Sequence, residues 1–358
     1  MITTYGWSQA LQRQFEPYSA DGLVPARVTA QHRGLWRVAT DAGEMDARLA
    51  GRFAHAAVEG GYPVVGDWVA AEAADGLALV HAVLPRRTVF QRREAGPAGA
   101  LQVLAANVDT ALLAASLNAD LNLRRLERYL ALAYESGAEP VIVLTKADLC
   151  ENLEAAVEAV RAIAHGVSVL PLSAATGEGL TALEALLEPG ATAVLLGSSG
   201  VGKSTLVNAL AGSQLMATKA IREDDARGRH TTTHRELIAL PSGALILDTP
   251  GMRELGLWDA GAGVDQAFAD VTAEVTALAE GCRFRDCAHE AEPGCAVRAA
   301  LEDGRLDEDR WRSFQKLKRE LAFEARKQDP ELREAERKRW IAVHKSARQH
   351  MKDKRRFE

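Results

Sequence analysis

A glycine-rich stretch past the middle of the chain has the residues needed to bind a phosphate. Residues 197–204 match the phosphate-binding pattern of a glycine, four residues and Gly-Lys-Ser. The N–H groups of such a loop surround a phosphate, assisted by the positive end of the following helix. Lys203 can reach the outer phosphates and is a predicted catalytic residue, while the Ser204 hydroxyl can ligate Mg²⁺. The predicted nucleotide contacts here are Gly197, Ser198, Ser199, Gly200, Val201, Gly202, Lys203, Ser204 and Thr205.

A second motif, Thr145-Lys146-Ala147-Asp148, can select the base, and all four of its residues are predicted nucleotide contacts. It follows the apolar run 140–144, which is typical of a buried strand. The Asp148 carboxylate can accept hydrogen bonds from N1–H and N2–H₂ of guanine, a donor pair that adenine lacks. GTPases usually carry Asn where this chain has Thr145, so the supporting hydrogen bonds differ. The alternative is an ordinary turn in which Asp148 caps a helix.

Two further turns complete the predicted nucleotide site. A backbone N–H at Ser173 or Ala174 could contact the guanine carbonyl, although turn chemistry alone explains these residues equally well. Asp248 follows an apolar run, 244–247, and its carboxylate could hold Mg²⁺ directly or through water. The N–H of Gly251, three residues later, could sense a γ-phosphate.

A histidine and three threonines lie between the phosphate loop and Asp248, at 230–233. We expect Thr232 or Thr233 to ligate Mg²⁺; the alternative is a threonine-rich strand start. Met252 stands where many GTPases carry the glutamine that orients water, which predicts slow intrinsic hydrolysis. His230 is the candidate catalytic substitute, as a base or water-orienting group, and a solvated loop histidine is the alternative.

A cluster of three cysteines and one histidine lies in the last quarter of the chain. Three thiolates and an imidazole suit tetrahedral Zn²⁺ in a closed structural site. The alternative is three buried thiols and a surface histidine, whereas Cys150 stands apart and is predicted to be a packed residue. The predicted zinc ligands are Cys282, Cys287, His289 and Cys295.

Composition and charge restrict the class of protein. The chain has 358 residues, enough for two or three domains, with 47% hydrophobic residues, 26% charged residues and a net charge of -6. Any nucleic-acid contact must therefore be local, and the basic stretch 337–358, with Trp340 and Phe357, is a candidate for RNA binding. A solvated helix face is the alternative. Without a signal peptide or a membrane-spanning apolar run, we expect a cytoplasmic protein with no membrane partner. We also expect the protein to be a monomer.

The predicted secondary structure that positions these residues changes along the chain. A short helix is predicted near Gln9–Phe15, and short strands at 36–39, 64–69 and 77–84 predict a small barrel or sandwich. From residue 98, strands alternate with helices, as in a parallel sheet covered on both faces. Beyond Trp258 the pattern is helical. The predicted strands and helices of the central part are 110–116, 123–136, 140–144, 152–165, 167–172, 180–187, 193–196, 204–210, 236–240 and 244–247.

The order of the motifs is reversed relative to ordinary GTPases, since the guanine motifs precede the phosphate loop. This order indicates a circularly permuted GTPase domain, which can form because the termini of compact domains are often adjacent. In such a domain the segment after Asp248 leads directly into the C-terminal region. We therefore expect movements of that segment to reach the C-terminal helices.

Together, the reversed order, the 197–204 loop, the 230–233 run, the 248–251 turn and the cysteine cluster closely resemble the bacterial ribosome small subunit-dependent GTPases. The resemblance implies a multidomain protein with an OB-like β-barrel at 1–97, a circularly permuted α/β P-loop GTPase domain at 98–258 and a helical zinc-binding domain at 259–358. It also implies GTP hydrolysis with Mg²⁺ in late assembly of the small ribosomal subunit, stimulation by that subunit and contact with its rRNA. The alternative function is an RNA-binding module that guanine nucleotide regulates; a nucleotide kinase would leave Asp148 unexplained.

Overall fold

The computed structural model describes residues 2–32, 34–56, 60–74, 76–93, 100–118, 121–215, 235–248 and 260–329, with 331, 334, 337 and 338. Within these ranges, none of the helices is both long enough and apolar enough to cross a membrane. Three regions follow one another along the chain: a β-barrel, an α/β sheet and a set of helices.

The N-terminal region is a closed five-stranded barrel. Its first strand pairs with the second and the fourth, and the third and fourth both pair with the fifth, which closes the ring. Small apolar residues such as Val28, Val38 and Val80 fill the interior. This topology confirms the OB-like prediction. The elements are α1 Gln9–Ser19, β1 Val24–His32, β2 Leu35–Thr40, β3 Gly43–Leu49, α2 Gly51–Ala56, β4 Trp68–Ala74 and β5 Leu77–Val83.

The strand predicted at 64–69 is wrong over its first four residues, since β4 begins at Trp68. The buried carboxylate of Asp67 accepts the N–H of Val64 at 2.8 Å, and Arg86 donates to both of its oxygens. These hydrogen bonds close residues 64–67 into a turn. They also give the buried Asp67 carboxylate the partner that a buried charge requires, the guanidinium of Arg86.

The central region is a mostly parallel sheet in the order β10-β9-β8-β11-β13-β12, and only β12 is antiparallel to its neighbour β13. Apolar side chains cover both faces, with α5 and α6 on one and α3 and α4 on the other. A hairpin, β6 Val89–Arg93 and β7 Leu101–Ala106, precedes the sheet. The sheet and its helices are β8 Thr110–Ser116, α3 Leu123–Ser136, β9 Glu139–Thr145, α4 Leu153–Arg161, β10 Ser168–Pro171, α5 Leu180–Leu186, β11 Thr192–Leu196, α6 Lys203–Ala211, β12 Arg235–Ala239 and β13 Leu245–Asp248.

The barrel and the central sheet share one hydrogen-bonded surface. Strand β12 pairs antiparallel with β1, so that Ala30 lies opposite Glu236 and Gln31 opposite Arg235. The two regions consequently form a continuous sheet of eleven strands.

A buried arginine adds a second connection between the barrel and the central sheet. The guanidinium of Arg27, on β1, donates to the hydroxyl of Thr192 at 3.0 Å and stacks 4.9 Å from the Trp68 ring. Burial lowers the pKa of Arg27 to about 10, which still leaves it charged at neutral pH. The barrel is therefore anchored at the start of β11, the strand that leads to the phosphate loop.

The C-terminal region is helical, as predicted, and packs on α3. Gly263 lets the backbone of this region approach α3 closely, because a Cβ at that position would lie 2.1 Å from the Ala131 carbonyl oxygen. The fully buried Glu127 of α3 accepts hydrogen bonds from Arg310 and Ser313. These contacts fix the helices against the central sheet. The helices are α7 Gly261–Ala267, α8 Ala269–Ala279, α9 Ala296–Glu302 and α10 Glu308–Gln328.

Candidate nucleotide site and metal centre

The phosphate loop joins the end of β11 to the start of α6, as predicted. Gly200 and Gly202 adopt φ values of +77° and +100°, a region that favours glycine. Gly197 has no room for a side chain, since a Cβ there would lie 2.7 Å from the Ala114 carbonyl oxygen. The Lys203 ammonium donates to the carbonyl oxygens of Gly197 and Ser198, at 2.7 Å each. The lysine thus already lies along the loop that would surround a phosphate.

The parallel sheet brings the separate motifs to one edge. In register, Ser116 of β8 lies beside Thr145 of β9, and Leu196 of β11 lies beside Leu113 of β8. Strand β13 flanks β11 on its other side and ends at Asp248. The carboxyl ends of these strands form the crevice in which open α/β sheets bind ligands.

The guanine motif touches the phosphate loop directly. The Thr145 hydroxyl lies 2.6 Å from the carbonyl oxygen of Val201 and 3.2 Å from that of Ala115. The Lys146 ammonium donates to the Gly200 carbonyl oxygen at 3.0 Å. Asp148 is exposed on the short helical turn that follows. The predicted base contact and the predicted phosphate contact are therefore positioned by neighbouring residues.

The predicted turn at residues 173–174 follows a backbone hydrogen bond to the guanine motif at 145–148. The Ala147 N–H donates to the carbonyl oxygen of Leu172, the residue after β10, at 3.1 Å. Ser173 is fully buried, and its own N–H donates to the Glu178 carbonyl oxygen at 2.9 Å. Since the Ser173 N–H is already used, Ala174 is the better candidate for a contact with the guanine carbonyl.

Several predicted site residues lie outside the described residues. These are the 230–233 run, with His230, Thr232 and Thr233, and the turn that ends at Gly251. The backbone of Asp248 ends β13, but its side chain also lies outside the described part. Most of the basic stretch 337–358 does as well. The roles assigned to these residues therefore stay predictions.

The structure brings together the three cysteines and the histidine of the predicted metal cluster. Their ligand atoms all lie within 4.8 Å of one another, and the Sγ of Cys295 lies 3.4 Å from the Nδ1 of His289. The loop closes through a hydrogen bond from the Arg283 N–H to the Gly294 carbonyl oxygen, at 3.0 Å. Three thiols and an imidazole at these separations could hold a metal ion.

The ionisation of the thiols depends on their surroundings. Burial raises the pKa of the Cys287 thiol to about 11. Burial also opposes ionisation of Cys282, but the N–H groups of Ala296 and Val297 and the neighbouring thiols outweigh it and lower the pKa of that thiol. Since metal ligands must be deprotonated, binding of a cation here releases protons.

Sequence reasoning missed one feature beside the nucleotide site and one between α3 and the C-terminal helices. Among the described residues, the buried Ser116 hydroxyl has no hydrogen-bond partner, and it lies next to Thr145 in the sheet. Its signal was a polar residue at the end of an otherwise apolar strand. The Glu127–Arg310 pair, which joins α3 to α10, gave no signal because its members are 183 positions apart.

A protein named small ribosomal subunit biogenesis GTPase RsgA from Opitutus terrae is 50% identical to this chain over 359 residues, 97% of each chain. This chain belongs to the RsgA GTPase family. The family model described as RsgA GTPase matches residues 83–258. A protein of the same name from Streptomyces coelicolor is 51% identical over 322 residues, 89% of this chain and 86% of its own.

Solved structures agree with the permuted fold. The crystal structure of YjeQ from Thermotoga maritima has a TM-score of 0.60 and 26% identity, covering 84% of this chain and 98% of its own. The structure described as YloQ, a circularly permuted GTPase, has a TM-score of 0.58 and 25% identity, covering 84% and 95%. The predicted permutation and the resemblance to RsgA GTPases are confirmed, and the chain is a GTP-hydrolysing enzyme.

Proposed function

We propose that this RsgA GTPase acts as a GTP-driven switch in late assembly of the small ribosomal subunit, is stimulated by that subunit and binds its rRNA. The names of the relatives support the process. The observation that carries the proposal is that the guanine motif directly contacts the phosphate loop through Thr145 and Lys146, so that one guanine nucleotide could engage both. We also propose that it works as a cytoplasmic monomer without a membrane partner, with domains at 1–97, 98–258 and 259–358.

We assign the nucleotide to the edge of the central sheet that is formed by the carboxyl ends of its parallel strands. The loop N–H groups and Lys203 bind the phosphates, Asp148 binds the guanine N–H groups, and Ala174 binds its carbonyl. Ser204, Asp248 and Thr232 or Thr233 would hold Mg²⁺, which neutralises charge on the outer phosphates when bound. Ser204, in the first turn of α6, fits this role because it is half-buried beside Lys203.

Hydrolysis requires a group that orients water. Met252 cannot do so, because its side chain has only a weak acceptor and no strong donor. We assign the role to His230, from the segment between α6 and β12. Full retention of subunit-stimulated activity by His230→Ala would exclude this assignment.

The metal cluster is assigned a structural Zn²⁺. The donor set of three thiols and one imidazole fills all four positions of a tetrahedral site, which leaves none for a substrate. Because Cys282 follows α8 and Cys295 caps the start of α9, the ion would link α8 to α9.

The deciding experiment is a GTP turnover assay with and without purified small ribosomal subunits. Strong stimulation by small subunits, and none by large subunits, is the expected result. Binding to small subunits without stimulation would instead favour an RNA-binding module whose affinity is regulated by guanine nucleotide.

Base selection can be tested at Asp148. We expect Asp148→Asn to weaken GDP binding by about a hundredfold or more, because two charge-assisted hydrogen bonds are lost. Binding of xanthosine diphosphate should increase, since its C2 carbonyl can accept from the new amide. Glu151→Gln, an exposed acid three residues away, is the matched control. Dissociation constants for both nucleotides measure the effect, and unchanged GDP affinity in Asp148→Asn would contradict the assignment.

A further inference from the structure

We infer that Glu292 is a positioning residue for the predicted metal cluster, because its carboxylate folds the loop from Cys287 to Cys295 around His289. The inference rests on the proposed assignment of a zinc ion to this cluster. It gives a function to a charged side chain that is not one of the four predicted ligands.

The Glu292 carboxylate holds the backbone on both sides of His289. Its Oε1 accepts the N–H of Ala288 at 2.9 Å, and its Oε2 accepts the N–H groups of Glu290 and Ala291 at 3.0 Å each. Backbone N–H groups, that of Ala288 above all, lower the pKa of Glu292 to about 2, so the carboxylate is charged at neutral pH. Hydrogen bonds to a charged acceptor are stronger than those between neutral groups. One side chain therefore fixes three consecutive turns of the backbone around the histidine.

His289 needs this support because its backbone has a disfavoured conformation. Its φ angle is +62°, in the left-handed region that residues with a Cβ seldom adopt. Conformations of this kind persist where the surrounding structure enforces them. The residues whose N–H groups bind the carboxylate include both neighbours of His289, so Glu292 is placed to enforce its conformation.

The enforced conformation places the imidazole beside two thiols at separations that suit a metal ion. The Nδ1 of His289 lies 3.4 Å from the Sγ of Cys295 and 3.7 Å from that of Cys282. Zinc bonds of about 2.3 Å to sulfur and ~2.0 Å to nitrogen, at a tetrahedral angle, separate the two ligand atoms by ~3.5 Å. The loop that Glu292 folds is therefore one in which the histidine can join the thiols as a ligand.

The cysteines are held by bonds that do not involve Glu292. The Cys295 thiol accepts the Arg298 N–H at 3.5 Å, at the start of α9. The Cys287 N–H donates to the Phe284 carbonyl oxygen at 3.3 Å. Loss of the carboxylate should therefore release the histidine rather than the thiols, and the ion would then have to order that part of the loop as it binds.

The test measures the zinc affinity of the full-length, reduced protein by competition with a chromophoric chelator. Glu292→Ala should raise the dissociation constant for Zn²⁺ by about ten- to a hundredfold, the usual effect of removing a group that orients a metal ligand. Glu292→Gln keeps one acceptor oxygen and should cause a smaller increase. Glu290→Ala is the matched control, because Glu290 is an exposed acid of the same loop whose carboxylate takes no part in these bonds. It should leave zinc affinity unchanged.

A double-mutant cycle shows whether Glu292 acts through the histidine. In the His289→Ala background, Glu292→Ala should change the zinc dissociation constant by less than about twofold, because the ligand that the carboxylate positions is already absent. A role in the general stability of the loop would give the same loss in both backgrounds. If Glu292→Ala does not fold, Glu292→Gln is compared in the two backgrounds instead.

The outcomes separate this inference from the proposed metal assignment. Failure of the unmodified protein to bind zinc would contradict the assignment itself. An unchanged zinc affinity in Glu292→Ala, or equal losses with and without His289, would overturn only the positioning role of Glu292.

Discussion

Lys203→Ala is expected to lower GTP hydrolysis, with and without small subunits, by about a hundredfold or more. The ammonium supplies the fixed positive charge nearest the outer phosphates in the proposed site. It also donates to the carbonyl oxygens of Gly197 and Ser198, so the substitution removes one hydrogen bond from each of these two loop residues. Because both effects act on the phosphate loop, we expect this substitution to cause the largest loss of GTP hydrolysis.

The measurement is phosphate release at saturating GTP, together with the dissociation constant for GDP. Lys327→Ala is the control, since Lys327 pairs with Glu324 on the exposed surface of α10. Hydrolysis by Lys203→Ala within tenfold of the unmodified protein would place the phosphates elsewhere.

Removal of the proposed zinc ion is expected to have the second largest effect, and it should act on stability. Structural zinc in small domains supplies on the order of 10 kcal/mol of folding free energy. The cluster lies between α8 and α9, and Cys295 caps α9 by accepting the Arg298 N–H. Chelation, or Cys295→Ser, should therefore lower the melting temperature of the C-terminal helices by more than about 10 °C.

Metal content by mass spectrometry and thermal unfolding by circular dichroism measure this effect. Cys150→Ser is the matched control, because Cys150 is half-buried and lies outside the cluster. GDP binding should persist without zinc, since the phosphate loop and the guanine turn belong to the central sheet. A purified protein that contains no zinc and melts as one cooperative unit would contradict the structural role.

The sequence predicted some elements to the residue because all their signals were local. Strand 110–116 is a continuous apolar run that ends in a polar residue, and helix 123–136 has a cap at each end. Asn122 accepts the Arg125 N–H at the start of that helix, and Gly137 ends it in a left-handed conformation. The helix predicted at 152–165 ends earlier, at Arg161, because a turn with Gly166 in a positive φ follows it.

Strand β1 could not be predicted, because its pattern depends on distant residues. Arg27 is buried in the strand, and its partner Thr192 lies 165 positions further along the chain. A buried arginine looks like a surface residue until that partner is known. Local reasoning therefore assigned residues 1–35 no strand.

The candidate site likewise has some features that the sequence predicts and others that it does not. Motif spacing predicted the phosphate loop, the guanine motif and the cysteine cluster, since each is short and chemically distinctive. The contact of Thr145 with Val201 joins two motifs 56 positions apart and requires the sheet register to be known. The sequence alone consequently left the supporting bonds of the guanine motif open.

The pairing of β1 with β12 has a consequence for the order in which the chain folds. Gln31 and Arg235 are 204 positions apart, so at about 5–20 residues per second β12 is synthesised ~10–40 s after β1. During that time the end of β1 is an open edge that another nascent chain could join. A bulge between Val28 and Ala30 bends β1 where its pairing with β4 ends, and bulges of this kind discourage such joining. The irregularity that lets one strand serve two regions thus also protects the unfinished protein.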